Sequence, residues 1–198
     1  MPHERRAGCE YSLELSVTER STGYEAARWH FDLSAGEAVM QPNRHPGAPL
    51  TVEESDETCL IKGDGFDMEL NTRTGELIAL RKNGDVYLSG GLPCFDRPYT
   101  GLDADEGWGW YNVYLKLRAA KLHLTAMNIY PSARAVTVEI EYALKDVSAS
   151  EARVRYTVYP DGEIRVDFSA HIDRSVGGVP RAGLEFTVPA GFEQLDYY

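Results

Sequence analysis

Cysteine is scarce in this sequence, and what there is does not pair. Cys9, Cys59 and Cys94 are the only three in 198 residues. They lie far apart, form no C-x-x-C and are odd in number, which argues against a zinc site or a full disulfide framework. Reduced, packed thiols are the expectation, and with them a cytoplasmic setting. Basic charge is also short: 20 Lys and Arg stand against 31 Asp and Glu, a net of −11. DNA meets repulsion over most of such a surface and no basic cluster offsets it, so nucleic acid is not an expected partner. No apolar run reaches the roughly 20 residues that span a bilayer. Met1-Pro2-His3-Glu4-Arg5-Arg6 is followed by no apolar stretch of the kind a secretory signal needs, so neither membrane nor export is expected of this piece. The sequence holds no G-x-S-x-G nucleophile elbow. It also lacks G-x-G-x-x-G, a P-loop and H-E-x-x-H. His3, His30, His45, His123 and His171 are dispersed, and no cofactor or metal is expected.

What the sequence does have is two-residue alternation. Tyr11, Leu13, Leu15 and Val17 alternate with polar residues, and Ala27, Trp29, Phe31 and Leu33 repeat the pattern more weakly. Side chains on a strand point alternately to opposite faces, so each segment has one dry and one wet side. Residues 34–49, with Gly36, Pro42, Pro46, Gly47 and Pro49, interrupt the pattern as a linker would, and a domain boundary is expected near Pro49. Beyond it the strands become dense. Short strands are expected over Thr58–Ile61, Phe66–Leu70 and from Leu77, with a turn at Asn71-Thr72-Arg73-Thr74-Gly75. Asn83-Gly84 signals another turn, leading into Val86-Tyr87-Leu88. Val136 to Tyr142, Val154 to Val158 and Ile164 to Ala170 alternate strongly, and Tyr159-Pro160-Asp161-Gly162 closes a hairpin between the last two. Leu184, Phe186 and Val188 predict one more strand, and Phe192 to Tyr198 the start of another. Only Tyr111 to Leu124 has helical spacing, for one short helix. The expected fold class is all-β, with antiparallel sheets packed as a sandwich.

One segment is unusual. Between Leu92 and Tyr111 the chain gathers aromatics, carboxylates and glycines, including Trp108 and Trp110. It reads either as a sugar-facing loop, with aromatic faces for a pyranose and carboxylates for its hydroxyls, or as a structural loop whose tryptophans cap the core. Asp103, Asp105 and Glu106 alternate as calcium ligands do, but the EF-hand register is missing and water-facing carboxylates are the simpler reading. Glycoside hydrolysis needs two carboxyl groups roughly 5–9 Å apart across a cleft. Nothing in the sequence sets such a pair, and no catalytic residue is assigned.

Several of these segments, in this order, resemble the small-chain domain at the C-terminal end of family 2 β-galactosidases. Phe66 to Leu77 resembles its opening F-x7-T-G-x-L. Phe95-Asp96-Arg97-Pro98-Tyr99-Thr100-Gly101-Leu102-Asp103 stands where the family has an R-A-P-T-D-N-D run; Arg97 agrees, while Pro98-Tyr99 replaces Ala-Pro. Pro180-Arg181-Ala182-Gly183-Leu184-Glu185-Phe186 resembles P-R-x-G-x-x-F, and Gly191 to Tyr198 resembles the segment before the family's G-x-G-P-x-E-N-Y. Gly23-Tyr24-Glu25-Ala26-Ala27, ahead of Trp29-His30-Phe31, resembles the end of the preceding immunoglobulin-like domain, with Arg28 inserted before the tryptophan.

The resemblance implies strands of an immunoglobulin-like domain plus linker over 1–49, and a galactose-mutarotase-like supersandwich, incomplete at its C-terminal side, over 50–198. The family's catalytic glutamates lie on an upstream TIM barrel, so none carries over. The loop from Arg97 onward would support the substrate side of the site, with Arg97, Asp103, Asp105, Glu106, Trp108 and Trp110 as candidates. The expected function is a non-catalytic accessory domain of a β-galactosidase-type glycoside hydrolase. It would meet a β-galactoside or other sugar through the parent enzyme, and contact the barrel and the immunoglobulin-like domain. The alternatives are a stand-alone carbohydrate-binding module using Trp108 and Trp110, and an interface domain whose open sheet edges make a homo-oligomer.

Overall fold

The computed structural model describes residues 11–33, 47–98, 117, 120–147 and 149–194. The chain divides into two units, 1–44 and 45–198.

The first unit holds an antiparallel hairpin of β1 (Ser12–Thr18) and β2 (Glu25–Asp32). Leu13 lies opposite Phe31, Leu15 opposite Trp29 and Val17 opposite Ala27, so the large apolar side chains share one face. On the other face Arg28 reaches Glu14 at 3.6 Å, and it bonds Glu25 at 2.9 Å. Leu13, Leu15, Val17, Trp29 and Phe31 remain 42–53% exposed. Among the described residues of this unit the hairpin has no second layer in which to bury them.

The second unit is a sandwich. One sheet runs β3 (Thr51–Glu54), β4 (Thr58–Gly63), β5 (Phe66–Asn71), β6 (Leu77–Lys82) and β7 (Asp85–Cys94), with β12 (Gly183–Thr187) added beside β7. The other contains β8 (Lys121–Pro131), β9 (Val136–Lys145), β10 (Glu151–Val158) and β11 (Ile164–His171) in order of sequence. Every pairing is antiparallel. Alternation sends Cys59, Ile61, Met68, Leu70 and Leu77 inward from one sheet, and Val136, Val138, Ile140, Tyr142, Val154, Tyr156 and Val158 from the other. All of these are almost fully buried in one continuous cluster.

The turns explain the register. Asn83 (φ 53°) and Gly84 (φ 90°) make a two-residue link between the paired Lys82 and Asp85, the backbone a tight hairpin requires. At Tyr159-Pro160-Asp161-Gly162, Gly162 N–H donates to Tyr159 O at 3.0 Å and Tyr159 N–H to Glu163 O at 2.9 Å. Between β5 and β6, Asn71 Oδ1 accepts from the amides of Arg73 and Thr74, and Gly75 closes the turn at φ 73°. A Cβ at Gly75 would collide with Tyr142 Oη and Ile140 of the opposite sheet.

Three expectations need correction. Residues 121–124 are the start of β8 rather than the end of a helix. Leu122 and Leu124 sit opposite Leu144 and Tyr142 of β9, and sheet pairing overrides a weak helical spacing. The remainder of that segment lies outside the described residues except Leu117, which is helical and buried, and Ala120, which is in neither helix nor strand. Leu92-Pro93-Cys94, read as the start of the unusual loop, is the end of β7. Residues 192–194, read as the start of a strand, carry none. Phe192 instead packs edge-on against Tyr87, centroids 5.6 Å apart.

The Tyr142 hydroxyl is buried without a hydrogen-bond partner among the described residues. Gly75→Ala should therefore lose stability, whereas Tyr142→Phe should not. The first forces a side chain into a left-handed turn and against the facing sheet, for a loss of about 2 kcal/mol or more. The second removes an unsatisfied polar atom and should gain up to about 1 kcal/mol or leave stability unchanged. Urea midpoints read both.

Burial, with the Glu54 carboxylate second, pushes the Cys59 thiol from an ordinary 9.0 up to about 11. Burial alone takes Tyr156 from 10.0 to about 12. The folded state keeps these protons after the unfolded chain has lost them. Stability is thus complete below about pH 9 and is lost as pH rises, first through the thiol's window and then, from about pH 10, through the phenol's. Urea midpoints should fall from about pH 9, and in Cys59→Ala the fall should begin near pH 10. An unchanged onset would assign the alkaline loss to other groups.

Candidate functional site

The unusual loop is rooted where β7 ends. Pro93 and Phe95 are buried. The Phe95 ring lies 6.3 Å from Phe168 of β11, so it crosses between the sheets. Cys94 Sγ donates to Asp96 O at 3.3 Å. Arg97 is half-buried; its Nε donates to Pro180 O at 3.4 Å and its Nη1 to Pro98 O at 3.3 Å. Arg97 and Pro180 are 83 positions apart in sequence. The register brings them together, because β12 pairs with β7 with Gly183 opposite Cys94 and Leu184 opposite Pro93. Both bonds are long, and they tie the guanidinium to backbone carbonyls. Of the residues singled out from sequence, only Arg97 is described; Asp103, Asp105, Glu106, Trp108 and Trp110 lie outside the described residues.

Two adjacent glycines shape β7 just before this root. Gly90 and Gly91 have φ of 93° and 75°, and both neighbouring registers slip there. The slip is a bulge. It brings Gly91 O to 3.4 Å from the Tyr156 hydroxyl, which donates to it, and a Cβ at Gly91 would strike that hydroxyl.

Carboxylates are plentiful on the outer sheet faces, and arginines occupy them. On the six-stranded sheet, Arg81 holds Asp67 and Glu69 at 2.7 Å each, all three partly buried. The clamp raises the Arg81 pKa, through the Glu69 bond first and the Asp67 bond second. Sequence reading missed it, yet the signal was there: Asp67 and Glu69 share a face of β5, and the hairpin sets Arg81 opposite Asp67. On the four-stranded sheet, a depression of about 230 Å³ is lined by Glu139, Glu141, Arg153, Arg155, Asp167 and Ser169 among others. There Arg155 bonds Glu139 at 2.7 Å and Arg153 lies 3.5 Å from Glu141. Such pairs order a wet surface and add little stability. Among the described residues no three His, Cys, Asp or Glu side chains come together as a metal site.

Residues 62–198 match the family described as beta galactosidase small chain, and the chain belongs to that family. It is 31% identical to the beta-galactosidase of Priestia megaterium, over 94% of this chain and 18% of that protein. It is 27% identical to the beta-galactosidase of Halalkalibacterium halodurans, over 96% of this chain and 19% of that protein. With the beta-galactosidase of Streptococcus thermophilus it shares 30% identity, over 76% of this chain and 15% of that protein. The chain thus spans less than a quarter of the length of these curated relatives.

The root has an apolar and a polar anchor of unequal weight. Phe95→Ala should lose about 3 kcal/mol through a cavity between the sheets. Arg97→Ala should lose about 1 kcal/mol, because its bonds are long and partly wet. Urea unfolding of both variants checks the order, and equal losses would show Arg97 to be as structural as the ring.

Proposed function

We propose that this member of the β-galactosidase small-chain family serves as a non-catalytic domain of a β-galactosidase-type glycoside hydrolase. In this role it shapes the substrate side of the active site and the contacts with neighbouring domains. The observation that carries the reading is the family match over 62–198, within a chain that spans only 15–19% of three relatives named beta-galactosidase. The acid and nucleophile would come from a TIM barrel elsewhere in the parent enzyme. The loop after Arg97 would face the sugar, with Trp108 and Trp110 offering apolar ring faces and Asp103, Asp105 and Glu106 accepting from hydroxyls. The root supports this: Phe95 and Arg97 fix where that loop departs from the sandwich. Residues 1–49 would be the closing strands and linker of an immunoglobulin-like domain. The hairpin's exposed row of Leu13, Leu15, Val17, Trp29 and Phe31 supports that part, since a single-faced apolar hairpin calls for a second sheet.

Incubating the purified chain with nitrophenyl β-galactoside should give no turnover above a blank. Turnover that scales with chain concentration and survives repurification would sink the reading. Calorimetric titration with galactose and lactose separates the main alternative: saturable binding abolished by Trp108→Ala and Trp110→Ala would make the chain a carbohydrate-binding module in its own right.

A further inference from the structure

β3 has little of its own to hold it. It is four residues long, with Val52 as its one apolar side chain, and β4 is its one partner among the described residues. Such a strand should fray well before the sandwich unfolds. What precedes it supplies a second hold. Leu50 packs against the core cluster. Just upstream, the backbone of Gly47 lies against Pro160, in the turn between β10 and β11. A Cβ on Gly47 would come within 2.5 Å of Pro160 O, 2.7 Å of its carbonyl carbon and 2.8 Å of its Cβ. The φ of Gly47 is not left-handed, so this close approach alone calls for glycine.

The wall that Gly47 meets is stiff. Proline holds its own φ near one value. Two backbone bonds close the turn, from Gly162 N–H to Tyr159 O and from Tyr159 N–H to Glu163 O. The Phe66 ring, at the start of β5, backs the turn at Gly162, where a Cβ would stand 3.4 Å from it. β3 belongs to the six-stranded sheet and this turn to the four-stranded one, so residues 47–50 reach from one sheet to the other.

We propose that residues 47–50 are a strap. Seated on Pro160 at one end and in the core at Leu50 at the other, they tie β3 to the β10–β11 turn and fix where the preceding chain enters the sandwich. Pro49, with its own φ held, stiffens the span between the two anchors. The sandwich's own structure then begins at Gly47, ahead of the boundary near Pro49 that proline and glycine content suggest. The division of the chain after Arg44 agrees with this. β3, too polar to hold itself, owes its place to two contacts upstream of it. The strap is independent of the accessory role, which holds with or without it.

Ser55 N–H donates to Thr58 O, and antiparallel pairs alternate, so the amides of Thr51 and Glu53 bond to Lys62 and Leu60 of β4. Their hydrogen exchange in the full chain reads whether β3 is attached. Gly47→Ala should speed it about tenfold, because a methyl group pushes the strap off an unyielding turn. Amides of β12, at the opposite end of the same sheet, should keep their rates. With Pro160→Gly also present, Gly47→Ala should speed Thr51 and Glu53 by only about threefold, since one of the struck atoms is gone and the turn can give way. Unchanged exchange at Thr51 and Glu53 in Gly47→Ala overturns the proposal. So does an equal acceleration of β12, or an effect of Gly47→Ala that is the same whichever residue stands at 160.

Discussion

The distance between the two sheets is set by tyrosine against glycine. Tyr142 and Tyr156 project from neighbouring strands of the four-stranded sheet, and each ends against a glycine of the six-stranded one: Gly75 in the β5–β6 turn and Gly91 in the β7 bulge. Both glycines take positive φ and both lack room for a Cβ. The two contacts differ in chemistry. Tyr156 donates to a carbonyl that the bulge presents, whereas the Tyr142 hydroxyl has no partner among the described residues. The aliphatic layer of Ile61, Met68, Leu70, Val138, Ile140 and Val154 fills the space these contacts hold open.

From that spacing follows the position of the loop root. The Gly90-Gly91 bulge reorients the end of β7, so Pro93 and Phe95 are buried and the Phe95 ring reaches Phe168 on the opposite sheet. β12 then lies along the same stretch of β7, and Arg97 reaches the carbonyl of Pro180 just ahead of it. A structure in which β7 ran straight would send the residues after Arg97 elsewhere. The electrostatics of the sheet faces play no comparable part, because exposed arginine–carboxylate pairs on a wet surface fix little.

Local chemistry accounts for what was legible in the sequence. The hairpins at Asn83-Gly84 and Tyr159 to Gly162 need only a turn and alternation on either side, and both turns form as read. The start of β8 was illegible because the helical spacing of Tyr111, Tyr114, Leu115 and Arg118 was carried on to Leu124, whereas pairing with β9 makes residues 121–124 a strand. β3 was missed for the opposite reason: with Val52 as its one apolar residue, it is a strand by virtue of its neighbour β4. The meeting of Arg97 with Pro180 could not be read from spacing at all, since it depends on β12 choosing β7 as its partner. The sugar-facing candidates after Arg97 rest on residue type and resemblance alone.

The residues that carry the family resemblance turn out to have geometric duties. The threonine–glycine step ends in Gly75, whose missing Cβ admits Tyr142 and Ile140. The proline–arginine step supplies, at Pro180, the carbonyl that receives Arg97. Phe186, closing the same motif, lies where a Cβ on Gly91 would touch its ring. A signature built from a turn, a bulge contact and a loop anchor describes a scaffold that places a segment in space. A signature of catalysis would instead gather groups able to move protons or attack a bond; among the described residues carboxylates pair with arginines, lysine, hydroxyls or backbone amides, and Glu14 also lies 3.8 Å from His30. The family pattern therefore marks the turn, the bulge contact and the loop anchor that set where the residues after Arg97 leave the sandwich.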